Sequence, residues 1–280
     1  MGFHCRAHEE RGYQMVVVDS HCHVSPYWYE PVESLLFQMD QNGVELALLV
    51  QYMGQFNNEY QMECVRRFPG RFASVVLVDA RSQDAVDKLD RLADQGAKGV
   101  RLRPSTRSPG DDPLAIWRAA AELKLPVSCS GTSMEFASGQ FADLIQTFPK
   151  LPIVIEHLGS INTPDGETGP YEIRRRVFDL SRFPNVYIKI HGLGEFCTRK
   201  KQMSGPFPFE LPIPPILEMA YEAFGPERMM WGSDYPPVSG REGYGNALRF
   251  TLDQFASKTQ RDRNLIFGEV ARGVFLSENS

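Results

Sequence analysis

The sequence predicts an α/β protein, a (β/α)8 TIM barrel in which eight strands alternate with eight helices. Short β-branched runs alternate with amphipathic stretches along most of the chain, which is typical of parallel strands joined by helices. The chain has 280 residues, and a domain of this kind needs about 250. No GxGxxG motif follows the first strand, so an open sheet that binds a dinucleotide is not favoured.

The predicted elements follow one another in the order that a barrel requires. The strands cover 15–19, 45–51, 72–78, 97–103, 125–130, 151–157, 185–191 and 228–234. The helices cover 31–42, 57–68, 82–95, 112–124, 135–148, 170–182, 213–224 and 243–257. Within 82–95, for example, Ala85 and Leu89 recur at helical spacing. We expect one domain over 15–280, preceded by a polar N-terminal tail over 1–14.

Composition restricts the classes of partner. The net charge of −5 argues against nucleic acid or an anionic membrane as the main partner, and a homo-oligomer stays possible. No apolar run reaches the roughly 18 residues that span a bilayer, and the N-terminus lacks the apolar segment of a secretory signal. The five cysteines are scattered without a CxxC pair, which indicates a reduced, cytoplasmic protein without disulfides.

The segment 196–215 is long, rich in proline and irregular. It follows the seventh predicted strand, so in a barrel it lies on the C-terminal face, where active sites are found. Long loops without secondary structure are usually functional or disordered. We expect a lid or a pocket wall over the site, with a plain surface excursion as the alternative.

Two histidines two residues apart end the first predicted strand. Strand side chains alternate between the two faces, so Asp19, His21 and His23 are expected on one face. Two imidazoles at the C-terminal end of a barrel strand can hold one metal ion or one substrate oxygen. The alternative is that the pair is structural.

Three further titratable residues lie at predicted strand ends. His157 ends strand six, His191 ends strand seven and Asp234 ends strand eight. A lone histidine at such a position is more often a hydrogen-bonded structural residue. All strands of a barrel end at the same face, however, so these side chains should converge with His21 and His23. The pattern predicts one site in the barrel mouth.

Three segments carry a family resemblance: VVVDSHCHV (16–24), IVIEHLGS (153–160) and MMWGSDYP (229–236). They resemble the amidohydrolases, TIM-barrel hydrolases that are metal-dependent or derived from metal-dependent ancestors. The similarity is greatest to the 2-pyrone-4,6-dicarboxylate lactonase group, which includes sugar-lactone hydrolases, and it runs from about residue 15 to 276. The resemblance implies a hydrolase with a barrel of the amidohydrolase type.

The resemblance also implies roles for the residues in these segments. His21 and His23 are implied as metal ligands or polarising groups, and His157 as the sixth-strand histidine. Asp234 is implied as the carboxylate that activates water. If a divalent metal such as zinc is bound, these four side chains hold it. No organic cofactor is expected.

The fifth strand departs from the zinc-dependent relatives. Those relatives place a ligand histidine at its end, whereas this chain has Ser128, Cys129 and Ser130 there. The lactonases that it resembles also lack that histidine and work without a tightly held metal. A catalytic zinc usually has three protein ligands plus water, so His21, His23 and Asp234 could still suffice, with Cys129 as a soft fourth ligand. Metal binding is left open.

Arginines on the fourth strand predict the charge of the substrate. Arg101 and Arg103 share one face, opposite Val100 and Leu102, so both guanidinium groups should point into the barrel or its mouth. Guanidinium groups bind carboxylates bidentately, which favours a small anionic organic substrate. The alternative is an internal ion-pair network with one of three carboxylates, Asp19, Glu156 or Asp234.

Other residues are expected to line the same pocket. Lys189 and His191 share the inward face of the seventh strand, and Tyr52 follows the second. Arg241 follows the eighth strand, where it could meet a substrate carboxylate. Trp231 has the opposite parity to Asp234 and should face the helices.

These residues favour hydrolysis of a lactone, or a related cyclic ester, that carries a carboxylate. Asp234 takes a proton from water, the histidines stabilise the developing oxyanion, and Arg101 and Arg103 hold the anionic end. Two alternatives remain open. One is a zinc-dependent non-oxidative decarboxylase of the same superfamily, and the other is a non-catalytic barrel that binds a ligand.

Overall fold

The computed structural model describes residues 15–160, 169–202 and 205–277, and the predicted tail 1–14 lies outside them. Eight parallel strands form one sheet in sequence order, which confirms the predicted barrel. They are β1 Val17–Cys22, β2 Val44–Val50, β3 Phe72–Val76, β4 Gly99–Leu102, β5 Val127–Cys129, β6 Ile153–Ile155, β7 Val186–Ile190 and β8 Met229–Trp231. The barrel closes where Asp234 N donates to His21 O and His23 N donates to Tyr235 O, both at 2.8 Å.

Helices follow the strands as predicted, and two further helices within 260–275 were not predicted. The helices are α1 Val32–Asn42, α2 Glu59–Arg67, α3 Ala85–Asp94, α4 Ala115–Glu122, α5 Ser133–Phe136, α6 Gly139–Thr147, α7 Glu172–Phe178, α8 Ile216–Phe224, α9 Tyr244–Gln254, α10 Gln260–Asn264 and α11 Val270–Phe275. The predicted helix 135–148 is two helices, because the Ser138 side chain accepts from Phe141 N and starts a new one. No helix in the described ranges is long and apolar enough to cross a membrane.

Side-chain alternation divides the core into two layers. Trp231 packs against Tyr244 and Phe267 outside the barrel, which confirms its predicted orientation towards the helices. Inside the barrel, Val18, Leu48, Val75, Val154 and Met230 form a second cluster. Phe275 of α11 belongs to this inner cluster, so the last helix fills one end of the barrel. The polar site occupies the other end.

A bulge in β1 changes the face on which its last residues lie. From Asp19 to Cys22 the strand advances three residues, while its partner β2 advances only two, from Ala47 to Leu49. The prediction that Asp19 shares a face with His21 and His23 is therefore wrong. The Asp19 carboxylate instead accepts from Ser233 N (2.8 Å), from Ser233 Oγ (2.6 Å) and from the hydroxyl of Tyr244 (3.0 Å), and so ties β1 to β8 and α9.

The described part of the loop 196–215 has structure of its own. Lys200 N donates to Pro208 O (2.8 Å) and Glu210 N donates to Thr198 O (2.9 Å), which forms a short antiparallel pair. Phe207 and Phe209 pack against Phe250 of α9, with ring centroids 5.1 and 6.4 Å away. The loop is thus anchored beside the segment that follows β8, and its role as a lid stays a prediction.

Candidate active site

The ends of β1 and β8 bring a carboxylate to two imidazoles. Oδ1 of Asp234 lies 3.6 Å from Nε2 of His23 and 3.9 Å from Nε2 of His21, and all three residues are buried. Nδ1 of His23 lies 2.6 Å from Val50 O, a carbonyl that can only accept, so this nitrogen carries a proton and the ring is oriented with Nε2 towards Asp234. The structure thus brings together three of the four predicted catalytic residues.

His157, the fourth, stands on an unusual turn. Four successive residues, His157–Ser160, have left-handed backbone angles, with φ from 51° to 80°. Such a conformation costs about 1–2 kcal/mol for each residue with a Cβ. The fully buried Arg174 donates to the carbonyl oxygens of Leu158 and Ser160 and so helps to hold the turn. As a result, the His157 ring lies 4.9 Å from the His21 ring.

Glu195 orients His157 from the loop after β7. Its Oε1 accepts from Nδ1 of His157 at 2.7 Å. His191, at the end of β7, stacks on His157 with ring centroids 4.3 Å apart, and its Nδ1 donates to Gly232 O at 2.9 Å. Glu195 was missed by the sequence reasoning, because it lies in an irregular loop where strand parity gives no orientation.

A second polar layer lies beneath these residues. The Lys189 ammonium donates to Ser128 Oγ (2.8 Å) and to Nδ1 of His21 (3.2 Å). Ser128 in turn donates to Oε1 of Glu156 (2.6 Å), and Arg101 holds Glu156 through Nε and Nη2 at 3.0 and 2.6 Å. All four side chains are buried, so this network forms the polar floor of the site.

Burial and neighbouring charges shift the proton affinities of both layers. Burial alone would lower the pKa of His157, but the carboxylates of Glu195 and Asp234 outweigh it and raise that pKa to about 9. His191 lacks a carboxylate in hydrogen-bond contact, and burial lowers its pKa to about 4. Burial would also raise the pKa of Asp234, but the charge of His157 and the bond to His23 hold it well below its usual range. At neutral pH the site therefore pairs an imidazolium with a carboxylate.

The floor is charged as well. The guanidinium of Arg101 and the ammonium of Lys189 outweigh burial and lower the pKa of Glu156 to about 2. Burial lowers the pKa of Lys189 to about 8, which keeps it mostly protonated at pH 7.

Two of the predicted substrate-binding residues, Arg101 and Lys189, are bonded to other protein groups in this floor. Arg101 points inward, as strand parity predicted, but its guanidinium is taken by Glu156 and by Gln51 O (3.0 Å). The structure therefore contains the alternative, an internal ion pair between Arg101 and Glu156. Lys189 faces the underside of His21 and not the open mouth.

Of the other four predicted substrate-binding residues, His191 is buried against His157, and the remaining three lie nearer the rim. Arg103 has a side chain 42% exposed and pairs with Glu135 at 3.2 Å. Arg241 donates to Oδ2 of Asp234 at 2.9 Å and lies 3.7 Å from Glu195, so its partners are carboxylates of the protein itself. Tyr52 is half-exposed, with its ring 6.5 Å from the ring of His23.

Three of the site residues present donor atoms that suit a divalent metal. Nε2 of His21, Nε2 of His23 and a carboxylate oxygen of Asp234 lie within 4.8 Å of one another. Nε2 of His21 is buried and has no hydrogen-bond partner among the described residues. The bond from His23 to Val50 is the backing that metal-bound histidines commonly have. Three such ligands with an open position suit a catalytic zinc, so the donor set fits.

Three details of the structure limit that fit. An ammonium can only donate, so Lys189 makes Nδ1 of His21 an acceptor and leaves the proton of the neutral ring on Nε2. A metal at Nε2 would have to displace that proton, which weakens His21 as a ligand. His157 lies outside the His21, His23 and Asp234 group and belongs to two other groups, one with His21 and His191 and one with Glu195 and Asp234, so the four predicted ligands do not form one set. Cys129 packs in the outer core towards the helices, so the idea of a fourth ligand there is wrong.

The chain was compared with known families and proteins. A family model described as Amidohydrolase matches residues 18–275. An L-fucono-1,5-lactonase from Burkholderia ambifaria is 26% identical over 239 residues, covering 81% of this chain and 79% of that protein. A 4-sulfomuconolactone hydrolase from Rhizobium radiobacter is 26% identical over 229 residues, covering 80% and 70%.

Solved structures share the fold. A probable 2-pyrone-4,6-dicarboxylic acid hydrolase from Acinetobacter baumannii, with citric acid bound, superposes with a TM-score of 0.70 at 19% identity over 93% of this chain and 99% of that one. An amidohydrolase from Burkholderia multivorans with bound zinc superposes with a TM-score of 0.73 at 17% identity over 93% and 99%. Both support the barrel assigned from the strand pairing.

Proposed function

The chain belongs to the amidohydrolase family, and we propose that it opens a lactone, a cyclic ester, which carries a carboxylate or a similar anionic group. Two relatives that align with most of the chain are a lactonase and a lactone hydrolase, which supports this reaction class. The observation that carries the proposal is the convergence of Asp234 with His21 and His23 in the barrel mouth, at 3.9 and 3.6 Å. We also propose that the enzyme works in the cytoplasm, with its cysteines reduced.

Asp234 is the group that takes the proton from water. As water attacks the lactone carbonyl carbon, one of its protons passes to the Asp234 carboxylate, which must lie within hydrogen-bond reach of that water. The depressed pKa of Asp234 keeps the group ionised, so it is ready to accept a proton throughout the neutral range. The same low pKa makes it a weak base, so the carbonyl must also be polarised.

The imidazoles supply that polarisation. The proton on Nε2 of His21 can donate to the carbonyl oxygen as negative charge develops there, because Lys189 occupies the other ring nitrogen. His157 is held as an imidazolium by Glu195, so it can release a proton to the ring oxygen when the carbon–oxygen bond breaks. The product is the open hydroxy acid, and the proton on Asp234 returns to His157.

A divalent metal would be held by His21, His23 and Asp234, with Lys189 acting against its binding. Such an ion supplies Lewis acidity and lowers the pKa of a bound water. The zinc in a structure of the same fold supports considering it here.

An arginine-lined cavity beside the site supports an anionic substrate. The cavity has a volume of about 610 Å³, and its charged lining consists of four arginines and one carboxylate: Arg81, which pairs with Asp79, and Arg101, Arg103 and Arg107. Arg107 donates only to backbone carbonyls among the described residues, so its charge is not cancelled by a carboxylate. We infer that the anionic group of the lactone is held here, mainly by Arg103 and Arg107, because Arg101 is committed to Glu156.

The proposal is tested with a panel of carboxylated and neutral lactones, scored for acid release and, separately, for CO₂. We expect acid without CO₂, and we expect this activity to fall in Asp234→Asn but not in Asp253→Asn, which changes an exposed carboxylate on α9. Release of CO₂ from an aromatic carboxylate would replace the proposal with the decarboxylase alternative. Ligand binding without turnover of any member would favour the binding module.

A further inference from the structure

We propose that a second cavity at the barrel mouth, named here the aromatic cavity, binds a neutral, polyhydroxylated ring that extends from the lactone. The cavity has a volume of about 250 Å³, and its aromatic lining consists of Tyr27, Trp28, Tyr29, Tyr52 and Tyr60. This inference rests on the proposed lactone hydrolysis and concerns the part of the substrate that does not react.

The aromatic cavity adjoins the catalytic residues through two of its tyrosines. Tyr29 stacks on the ring of His23, with centroids 5.5 Å apart and planes inclined by 27°. Tyr52 meets Tyr29 edge to face at 5.2 Å. Both tyrosines therefore belong to the surroundings of His23 and to the lining of the cavity. A ligand whose reacting carbonyl lies beside His23 can extend directly between these rings.

The loop that presents the aromatic residues is held in a defined shape. Ser25 N donates to Glu30 O at 3.0 Å and closes the loop. The Ser25 hydroxyl accepts from the backbone of Tyr27 (3.2 Å) and of Trp28 (3.3 Å), which fixes the turn between them. The exposure of these rings is therefore imposed by an ordered loop.

These rings are unusually exposed for their size. Tyr27 is 85% exposed and Trp28 is 63% exposed, while the other two tryptophans, Trp117 and Trp231, are fully buried. Clustered exposed aromatic surface next to a site commonly marks ligand or partner binding. Tyr27 and Trp28 line the same cavity as Tyr29, which stacks on His23, and this connection assigns the exposed surface to the ligand.

The chemistry of the lining selects a sugar-like group. Flat aromatic faces can pack on the C–H faces of a saturated ring, while polar groups around them bond its hydroxyls. The polar lining includes Gln55, Asn57 and Glu59, and it has no lysine, arginine or histidine among the described residues. The Tyr29 and Tyr52 hydroxyls and the Trp28 indole nitrogen have no hydrogen-bond partner in the described part of the chain.

Size and charge argue against a large ligand group and against an anionic one. A volume of about 250 Å³ lies below the roughly 300–1,000 Å³ of sites for drug-sized ligands and suits a single ring. Without a cation in its lining, and with Glu59 and Glu63 at its edge, the aromatic cavity repels an anion. The two cavities thus bind different parts of the substrate: the arginine-lined cavity binds its anionic group, and the aromatic cavity binds its hydroxylated ring.

Tryptophan fluorescence measures occupancy without any turnover. Because Trp117 and Trp231 are buried, acrylamide should quench mainly Trp28, and the Trp28→Phe variant checks that assignment. Two stable product-like acids serve as probes: gluconate, a single open chain, and lactobionate, the same chain bearing a galactose ring. We expect lactobionate to protect Trp28 from acrylamide and gluconate to leave it accessible.

A kinetic ratio provides the second measurement. The ratio of kcat/KM for lactobiono-1,5-lactone to that for glucono-1,5-lactone should fall about fivefold to tenfold in Trp28→Ala, as expected for one lost aromatic contact. Phe37→Ala removes an equally exposed ring (61%) from the outer face of α1 and should leave the ratio unchanged. Spontaneous lactone opening is subtracted from each rate.

The outcomes separate this inference from the proposed function. Protection by lactobionate without turnover of any lactone would support the aromatic cavity as a sugar subsite and reject the reaction. Equal protection by both acids, or by neither, would overturn the subsite. Protection of Trp28 that grows with protein concentration, together with a dimeric mass, would mean that a second copy of the chain covers the rings, and would also overturn it.

Discussion

The two polar layers at the mouth of the barrel differ in how completely their atoms are paired. In the lower layer, Arg101, Ser128, Glu156 and Lys189 bond one another or the backbone. In the upper layer, four buried atoms have no partner among the described residues: Nε2 of His21, Nε2 of His191, Oε2 of Glu195 and Nε of Arg241. An unpaired buried polar atom costs about 1–3 kcal/mol, which a bound ligand or water can recover. The unpaired atoms of the upper layer are thus available to bind a ligand. The paired residues of the lower layer support the structure of the site.

The largest effect on activity is expected in the upper layer. Asp234→Asn keeps the shape of the side chain but cannot take a proton from water, so kcat should fall by about 10²–10⁴-fold. Circular dichroism should remain that of the wild type, since the backbone bond from Asp234 N to His21 O is kept. An active variant with normal spectra would place the base elsewhere, with His157 as the next residue to replace.

A change in the lower layer should lower stability. Arg101→Met leaves Glu156 buried without its guanidinium partner, which costs about 3–5 kcal/mol of unfolding free energy. Thermal unfolding should show this loss, and the double variant Arg101→Met with Glu156→Gln should recover part of it. Activity on charged and neutral lactones should fall alike. If activity is lost only on charged lactones and the melting temperature is unchanged, Arg101 binds the substrate directly.

The contrast between the layers also explains what the sequence could predict. The positions of His21, His23, His157 and Asp234 at strand ends predicted that they would meet, because all strands of a barrel end at the same face. Strand parity also gave the inward orientation of Arg101. Periodicity could not show that Glu156 would occupy this arginine, because pairing depends on distances between strands six and four.

Irregular segments account for most of the remainder. The bulge that turns Asp19 away from His21 adds one residue that no alternation pattern reveals. Glu195 lies in a loop, and its bond to His157 depends on how that loop folds back. The aromatic cavity likewise arises from loop residues, and among its aromatic residues only Tyr52 was expected at the mouth.

Removing the carboxylate behind His157 should alter the pH dependence of the reaction. Glu195→Gln deletes the charge that raises the pKa of His157 to about 9, so the alkaline limb of the kcat/KM profile should move to lower pH. A group with a raised folded-state pKa contributes stability below its unfolded pKa and loses it as the pH rises through about 9. The variant should therefore lose stability at pH 6 and much less at pH 10. An unchanged alkaline limb would remove His157 from the proton transfer.

A smaller effect is expected at the rim. Arg103→Met should reduce kcat/KM for a carboxylated lactone about threefold to tenfold and spare a neutral lactone of similar shape, since solvent screens a half-exposed guanidinium. Arg118→Met serves as the control, because Arg118 is a similarly exposed arginine paired with Asp112 away from the site. Equal changes on both lactones would argue against anion binding in the arginine-lined cavity.

The smallest effect on activity is expected from removing metal. This expectation depends on the hydrogen bond from Lys189 in the lower layer to His21 in the upper layer. Lys189 keeps a proton on Nε2 of His21, so an ion must displace that proton to bind, and dialysis against a chelator should leave most activity intact. In Lys189→Met the ring is free to place its proton on Nδ1, so zinc should bind more tightly than to the wild type in a competition titration with a chromophoric chelator. Complete loss of wild-type activity after chelation, restored by zinc, would mean instead that the ion overrides Lys189 and that the upper layer works as a metal centre.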